Sequence, residues 1–198
     1  MNKSTVNDYI NNTISDDKKF SYPEISNAIE ALLNHEDGYP WVNEFEKRFA
    51  ERMGVDYAIA CNSGTSGLHA ALYGVGISEG DEVIIPALTV IMDAYAVIHH
   101  GGVPVFADVD EETHLITPEE IEKKITNKTK AIITVAWDGV SCDMDPIMAL
   151  AKKHNLLVVD DCARTLLSTY KGKLVGTLAD ISVFSFESKK HLSAGGEG

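Results

Sequence analysis

The chain has 198 residues, 44% of them hydrophobic, a composition that suits one large globular domain and excludes a wholly disordered protein. Its formal net charge of -13 argues against nucleic acid as a partner, because an acidic surface repels phosphate backbones. The first 20 residues lack the apolar core of a secretory leader and no apolar stretch is long enough to span a membrane, so the sequence predicts a cytoplasmic protein with no membrane partner.

Residues 1–21 are predicted to form an N-terminal arm, and residues 22–198 a single large domain. Hydrophobic residues at helical spacing predict a helix in the segment SYPEISNAIEALLNH. The same spacing predicts a second helix in WVNEFEKRFAERMG, and its final glycine, Gly54, is expected to end it. The domain is therefore expected to begin with two amphipathic helices.

From Tyr57 onward, short apolar segments alternate with helical patterns. The predicted strands are YAIACNS, DEVIIPA, VPVFADVD, KAIITVAW, LLVVDDCA and DISVFSF. The predicted helices are TSGLHAALYGVG, TVIMDAYAVIHHGG, TPEEIEKKI and DMDPIMALAKKHN, and the third has Thr117 as its N-cap. Nearly continuous apolar strands separated by helices predict an α/β fold, with three α/β/α layers and a mostly parallel sheet covered on both faces.

No metal site is expected. Cys61, Cys142 and Cys162 are widely spaced, form no CxxC pair and are predicted to be reduced thiols. The pair His99 and His100 ends a predicted helix, where histidine suits the helix C-terminus, so we do not interpret it as a ligand pair.

Polar stretches follow three of the predicted strands, at the edge of the sheet where parallel α/β folds bind ligands. In the first stretch, Ser63, Gly64, Thr65 and Ser66 lie between a strand and a helix. Backbone N–H groups and hydroxyls at a helix start bind anions, but serine and threonine are also favoured there simply as caps. The residues alone leave both interpretations open.

The other two stretches contain acids and lysines. Asp160 and Asp161 end a strand and are expected to point to opposite faces, so that one of them can meet a ligand. Ser185 ends another strand, and Lys189 and Lys190 follow it, either as solvated charges or as a nucleophile toward carbonyl groups. An anion cradle, a carboxylate and an amine together match the phosphate, ring nitrogen and aldehyde of pyridoxal 5'-phosphate (PLP).

A series of motifs resembles the DegT/DnrJ/EryC1/StrS family of PLP-dependent sugar aminotransferases, which have the aspartate-aminotransferase-like fold (fold type I). The resemblance extends from about Tyr22 to Gly198 and follows the order of motifs in the family. It implies the PLP-binding large domain, incomplete at its C-terminus and without the small domain. The motifs are WVNEFEKRFAERMGVDYAIACNSGTSGLHAAL, GDEVIIPALT, PVFADVD, TKAIITV, CDMDPIMALAKKHNLLVVDDCA, YKGKLVGTLADISVFSFESKKHL and GGEG.

The resemblance also implies the roles of individual residues. The family pattern Ser-Phe-x-x-x-Lys makes Lys190 the catalytic lysine that reacts with the cofactor aldehyde, and leaves Lys189 at a variable position. Arg164 stands where the family usually has glutamine or histidine near the phenolic oxygen of the cofactor. The remaining implied cofactor-binding residues are Ser63, Gly64, Thr65 and Ser66 in the phosphate loop, Asp161 at the pyridine nitrogen and Ser185 at the phosphate.

The implied reaction moves an amino group, from glutamate, to a keto sugar carried on a nucleotide, in a homodimer. Two alternatives stay open at this level: a PLP-dependent sugar dehydratase, and a non-catalytic half-domain that acts as a partner subunit. Val90 replaces an aromatic residue of the family, and Ala136 and Asp138 replace a histidine and an aromatic residue, which bears on the substrate class. Because members of the family continue well beyond the lysine, the expected explanations are truncation, an inactive fragment, or a second polypeptide that supplies the C-terminal half.

Overall fold

A computed structural model describes residues 22–33 and 40–194 of the chain. The predicted arm, residues 1–21, and the final motif GGEG lie outside the described residues. The chain divides into two units, residues 1–49 and residues 50–198. Both predicted N-terminal helices form, α1 over Tyr22–Leu33 and α2 over Pro40–Met53.

The second unit alternates helices and strands, as predicted. Gly54 follows α2 with a φ of +71°, a conformation that glycine adopts without strain, and its N–H donates to the carbonyl oxygen of Ala50 at 2.8 Å. In chain order the elements are α3 (Gly64–Gly74), β1 (Glu82–Pro86), α4 (Met92–His99), β2 (Val103–Ala107), α5 (Pro118–Glu122), β3 (Thr129–Val135), α6 (Met144–His154), β4 (Leu157–Asp161), β5 (Thr169–Tyr170), β6 (Lys173–Leu174) and β7 (Ile181–Val183).

Five strands form one parallel sheet in the order β2-β1-β3-β4-β7. Alternate residues of its strands face two separate cores. Val83, Ile133 and Val159 pack with the apolar residues of α3 and α4, whereas Ile132 and Val158 pack with those of α5 and α6. The predicted three-layer α/β/α arrangement is therefore confirmed, and β5 and β6 form a separate antiparallel hairpin.

Two local predictions hold, the helix cap at Thr117 and the free thiols. The Thr117 side chain caps α5 by accepting the N–H of Glu120 at 3.3 Å. All three cysteines are free thiols. Within the described residues, none of the helices has the length and apolar character needed to cross a membrane.

The predicted strand YAIACNS is wrong. Residues 57–61 form no strand, and Tyr57 and Ile59 are 86% and 82% exposed. An apolar segment becomes a strand only where a neighbour completes its hydrogen-bond ladder, and among the described strands none pairs with residues 57–61. The predicted strand DISVFSF is also shorter than expected, since β7 ends at Val183.

Candidate active site

The start of α3 forms a turn of hydroxyl and glycine residues at one edge of the sheet. Ser63 is the N-cap of α3, and its Oγ accepts the N–H of Ser66 at 3.1 Å and lies 3.0 Å from the Ser66 Oγ. The capping interpretation is therefore confirmed for Ser63. The first N–H groups of a helix have no backbone partner within the helix, so those of Gly64 and Thr65 can serve an anion, whereas that of Ser66 donates to the cap.

Ser185 lies directly against this turn. A Cβ atom at Gly64 would stand 3.2 Å from the Cβ of Ser185, which is closer than an ordinary van der Waals contact. It would stand 3.8 Å from the carbonyl oxygen of Phe184, which is an ordinary contact distance. Only glycine therefore fits there without displacing its neighbours. The structure brings together two parts of the predicted phosphate site, residues 63–66 and Ser185, that are far apart in the sequence.

Asp161 ends β4 on the face of the sheet that α3 and α4 cover. It is 6% exposed, and its Oδ1 accepts the N–H of Ala163 at 2.8 Å. Burial raises the pKa of Asp161 to about 6, against the lowering effect of the Ala163 N–H, and smaller effects come from Asp160, Lys190 and Asp93. The carboxyl group is thus sheltered from water but lies within the field of a lysine.

Asp160 points to the opposite face, as the alternation of a strand predicts. The Thr134 hydroxyl donates to its Oδ1 at 2.7 Å, and the Cys162 thiol donates to its Oδ2 at 3.1 Å. Asp160 therefore belongs to a buried polar cluster between the sheet and α5 and α6, away from residues 63–66.

Lys189 and Lys190 differ in their surroundings. Lys190 is half-buried, and its charge lowers the pKa of Asp161. Lys189 is exposed, and its backbone N–H donates to the Glu187 carboxylate at 3.0 Å. Of the two lysines, only Lys190 is among the groups that shift the pKa of Asp161.

Arg164 lies at the same edge of the sheet but contacts other residues. Its Nη2 donates to the Asp138 Oδ1 at 3.1 Å, and its guanidinium stacks 4.5 Å from the centre of the Trp137 ring. The ion pair is exposed, with 43% of the Arg164 side chain accessible. A cofactor contact of Arg164 remains a prediction.

Sequence reasoning missed a second acid at this site, Asp93 in the first turn of α4. Asp93 is fully buried, its Oδ2 accepts the Thr89 hydroxyl, and its carboxyl group lies within hydrogen-bonding range of Asp161. Burial, followed by the charge of Asp161, raises the pKa of Asp93 to about 7. The signal in the sequence was an acid within the apolar run TVIMDAYAVI, where a solvated surface position is not expected.

Comparison with known proteins identifies relatives over nearly the whole chain. The sequence profile of the DegT/DnrJ/EryC1/StrS aminotransferase family matches residues 21–198. GDP-perosamine synthase of Escherichia coli O157:H7 is 50% identical over 155 residues, which are 78% of this chain and 43% of that protein. The chain thus spans less than half the length of this curated relative.

Solved structures agree with the fold described above. The X-ray structure of an aminotransferase from Psychrobacter cryohalolentis matches with a TM-score of 0.87 and 44% identity, over 93% of this chain and 47% of that one. The PLP form of Spr1654 from Streptococcus pneumoniae matches with a TM-score of 0.83 and 30% identity, over 88% of this chain and 49% of that one.

Proposed function

The chain belongs to the DegT/DnrJ/EryC1/StrS aminotransferase family, and from that membership we propose that it forms the cofactor-binding part of a PLP-dependent sugar aminotransferase. The proposed reaction moves an amino group from glutamate to a keto sugar that is linked to a nucleotide. The observation that carries the proposal is the meeting of residues 63–66, Ser185, Asp161 and Lys190 at one edge of the parallel sheet.

These residues fit the chemistry of PLP. The hydroxyls and N–H groups of residues 63–66 suit a phosphate, and the close approach of Gly64 to Ser185 puts a further hydroxyl beside them. A buried carboxyl group at Asp161 suits a protonated ring nitrogen, and a half-buried amine at Lys190 suits an aldehyde. When bound, PLP supplies a ring that accepts electrons from the substrate carbon.

Each residue then has a distinct task. Asp161 would hold a proton on the ring nitrogen of the cofactor, because an ionised carboxylate favours the cationic form of its partner. Lys190 would hold the cofactor at its aldehyde group, and as a free amine it would act as the acid and base that moves a proton at the substrate carbon. Lys189 has no part in the reaction.

The two adjacent lysines offer a matched test. Wild-type protein and Lys189→Ala should bind PLP and show its visible absorbance, whereas Lys190→Ala should lose that absorbance. Reduction of the wild-type complex with borohydride, followed by peptide mass spectrometry, should find the phosphopyridoxyl group on Lys190. Attachment to Lys189, or equal spectra for the two variants, would contradict the assignment.

Whether the protein transfers an amino group or removes water from the sugar has a separate test. If the protein is an aminotransferase, glutamate should convert bound PLP to pyridoxamine phosphate, with one 2-oxoglutarate released for each cofactor. A dehydratase would instead form its product from the sugar without a stoichiometric amino donor, so assaying sugar nucleotides with and without glutamate separates the two reactions.

We propose that the active protein is a homodimer, which sedimentation velocity of the PLP complex would reveal.

A further inference from the structure

Two carboxyl groups meet at the candidate site, although the proposed cofactor needs only one. Asp161 ends β4, and Asp93 belongs to α4, which follows β1 in the chain. The two strands are separated in the sheet by β3, yet the carboxyl groups lie within hydrogen-bonding range of each other. Both side chains are buried, Asp93 completely and Asp161 to all but 6%.

Asp93 lies in the first turn of α4, where the helix dipole favours an acid, but it does not cap the helix. The N-cap of α4 is Ile91, and no side chain caps that helix end by a hydrogen bond. The Oδ2 of Asp93 accepts the Thr89 hydroxyl, while its Oδ1 is buried and accepts no hydrogen bond from the described residues. A fully buried acid that accepts one hydrogen bond is costly while it is ionised, so burial favours its neutral form.

One proton resolves the conflict between the two acids. Two ionised carboxylates within hydrogen-bonding range of each other repel strongly when both are buried, so the pair binds a proton. The Ala163 N–H donates to Asp161 at 2.8 Å and the charge of Lys190 lowers the pKa of Asp161, so both favour the ionised form of Asp161 and leave the proton to Asp93. The other charged groups that act on Asp161 are Asp160, which raises its pKa, and Lys190, which lowers it.

We propose that Asp93 is a positioning residue for Asp161: as a neutral acid it donates a hydrogen bond to the Asp161 carboxylate, fixes its orientation and leaves the pair one negative charge for the pyridine nitrogen of the cofactor. This inference rests on the proposed function. It makes Asp93 the residue that controls how strongly Asp161 binds the pyridine nitrogen of the cofactor. One negative charge matches one pyridinium charge, whereas two ionised acids would exceed it.

The shared proton can be tested without cofactor. Infrared spectra of the cofactor-free protein at about pH 6.5 should contain the band of protonated carboxyl groups, and Asp93→Asn should remove the part of it that belongs to Asp93. Asp161→Asn should shift that part, because it changes the partner of the proton. Burial also raises the pKa of Asp160, so Asp160→Asn is the control that identifies the part of the band due to Asp160. A protonated band that Asp93→Asn leaves intact would overturn the inference.

The positioning role is tested with the cofactor bound. Asp93→Asn keeps a neutral donor and should retain PLP affinity and the 15N chemical shift of labelled PLP at its pyridine nitrogen. Asp93→Leu is also neutral but has no donor, and should weaken PLP binding by about tenfold or more, as expected for a lost hydrogen bond to a charged group. Its 15N shift should move toward that of an unprotonated ring nitrogen.

The outcomes separate this inference from the function on which it rests. A wild-type protein that binds no PLP would overturn the proposed function, whereas the infrared result would still decide whether Asp93 and Asp161 share a proton. A folded Asp93→Leu variant with wild-type affinity and an unchanged 15N shift would overturn the positioning role alone. If Asp93→Leu does not fold, the infrared comparison of wild type with Asp93→Asn decides.

Discussion

Neighbouring residues of the same type have different surroundings at two points in this chain. Asp160 and Asp161 point to opposite faces of β4, one toward Thr134 and Cys162 and the other toward Asp93 and the field of Lys190. The alternation of side chains along a strand produces this difference, and it was predictable from the sequence. A substitution near Asp160 can therefore test its effect on stability separately from the proposed cofactor site at Asp161.

Thr134→Val should destabilise the protein by about 1–3 kcal/mol, because it removes a buried donor to Asp160 at nearly constant volume. Burial raises the pKa of Asp160, while the Thr134 hydroxyl, followed by the Cys162 thiol, lowers it. An acid with a folded-state pKa above its unfolded value contributes stability at low pH that is lost as the pH rises through the folded-state pKa. Thr134→Val raises the pKa of Asp160 further, so the variant should lose more of its free energy of unfolding, relative to wild type, as the pH rises.

Urea unfolding of wild type and variant at about pH 5 and about pH 9 measures this effect. Thr134→Ser is the control, since it keeps the hydroxyl and should show the pH dependence of the wild type. A loss that is the same at both pH values would contradict the assigned role of the hydroxyl.

At the scale of elements, the site depends on how closely α3 approaches β7. Two glycines of α3 make this approach possible. A Cβ at Gly64 would crowd Ser185, and a Cβ at Gly67 would stand 2.7 Å from the Cγ1 of Val183. Since real Cβ atoms do not approach so closely, any larger residue at Gly67 must move the helix or the strand.

Gly67→Ala should therefore destabilise the protein by about 1–3 kcal/mol through overpacking, and should weaken phosphate binding at residues 63–66. Val183→Ala makes room, so the double variant should lose less stability than the sum of the two single variants. Gly74→Ala is a control on the same helix, because its Cβ would meet only the terminal methyl of Ile181, at 3.2 Å. Additive losses in thermal unfolding would show that the helix and strand are not in the predicted contact.

At the scale of the whole chain, an acidic molecule presents an exposed apolar segment. Tyr57 and Ile59 lie in residues 57–61, which join none of the described strands. An apolar segment with a backbone outside any ladder is prone to associate with other chains. The net charge of -13 opposes such contact by repulsion between molecules.

The 198-residue chain should therefore self-associate more as salt is added, since salt screens the repulsion. Replacing Tyr57 and Ile59 together by serine should reduce this association in sedimentation velocity experiments. Tyr73→Ser is the matched control, because Tyr73 is similarly exposed but lies in helix α3. An equal effect of the control would show that exposed apolar area alone, and not the extended segment, drives association.

The sequence by itself determined the α/β alternation, the N-cap at Thr117 and the opposite faces of Asp160 and Asp161, because local spacing controls each of them. Motif order determined the family, and the contrast between Lys189 and Lys190 followed from it. The sequence failed at YAIACNS, where apolar content alone did not show whether a partner strand would be present.

Only the tertiary structure decided which distant residues meet. Gly64 meets Ser185 because α3 packs on β7, and Asp93 meets Asp161 because α4 packs on the face of the sheet to which Asp161 points. Neither contact can be predicted from a local sequence pattern, since each depends on the order of the strands and on where the helices pack. The charge state of the two acids is decided at this same level, because the exclusion of water and the nearness of a second carboxyl group exist only in the folded protein.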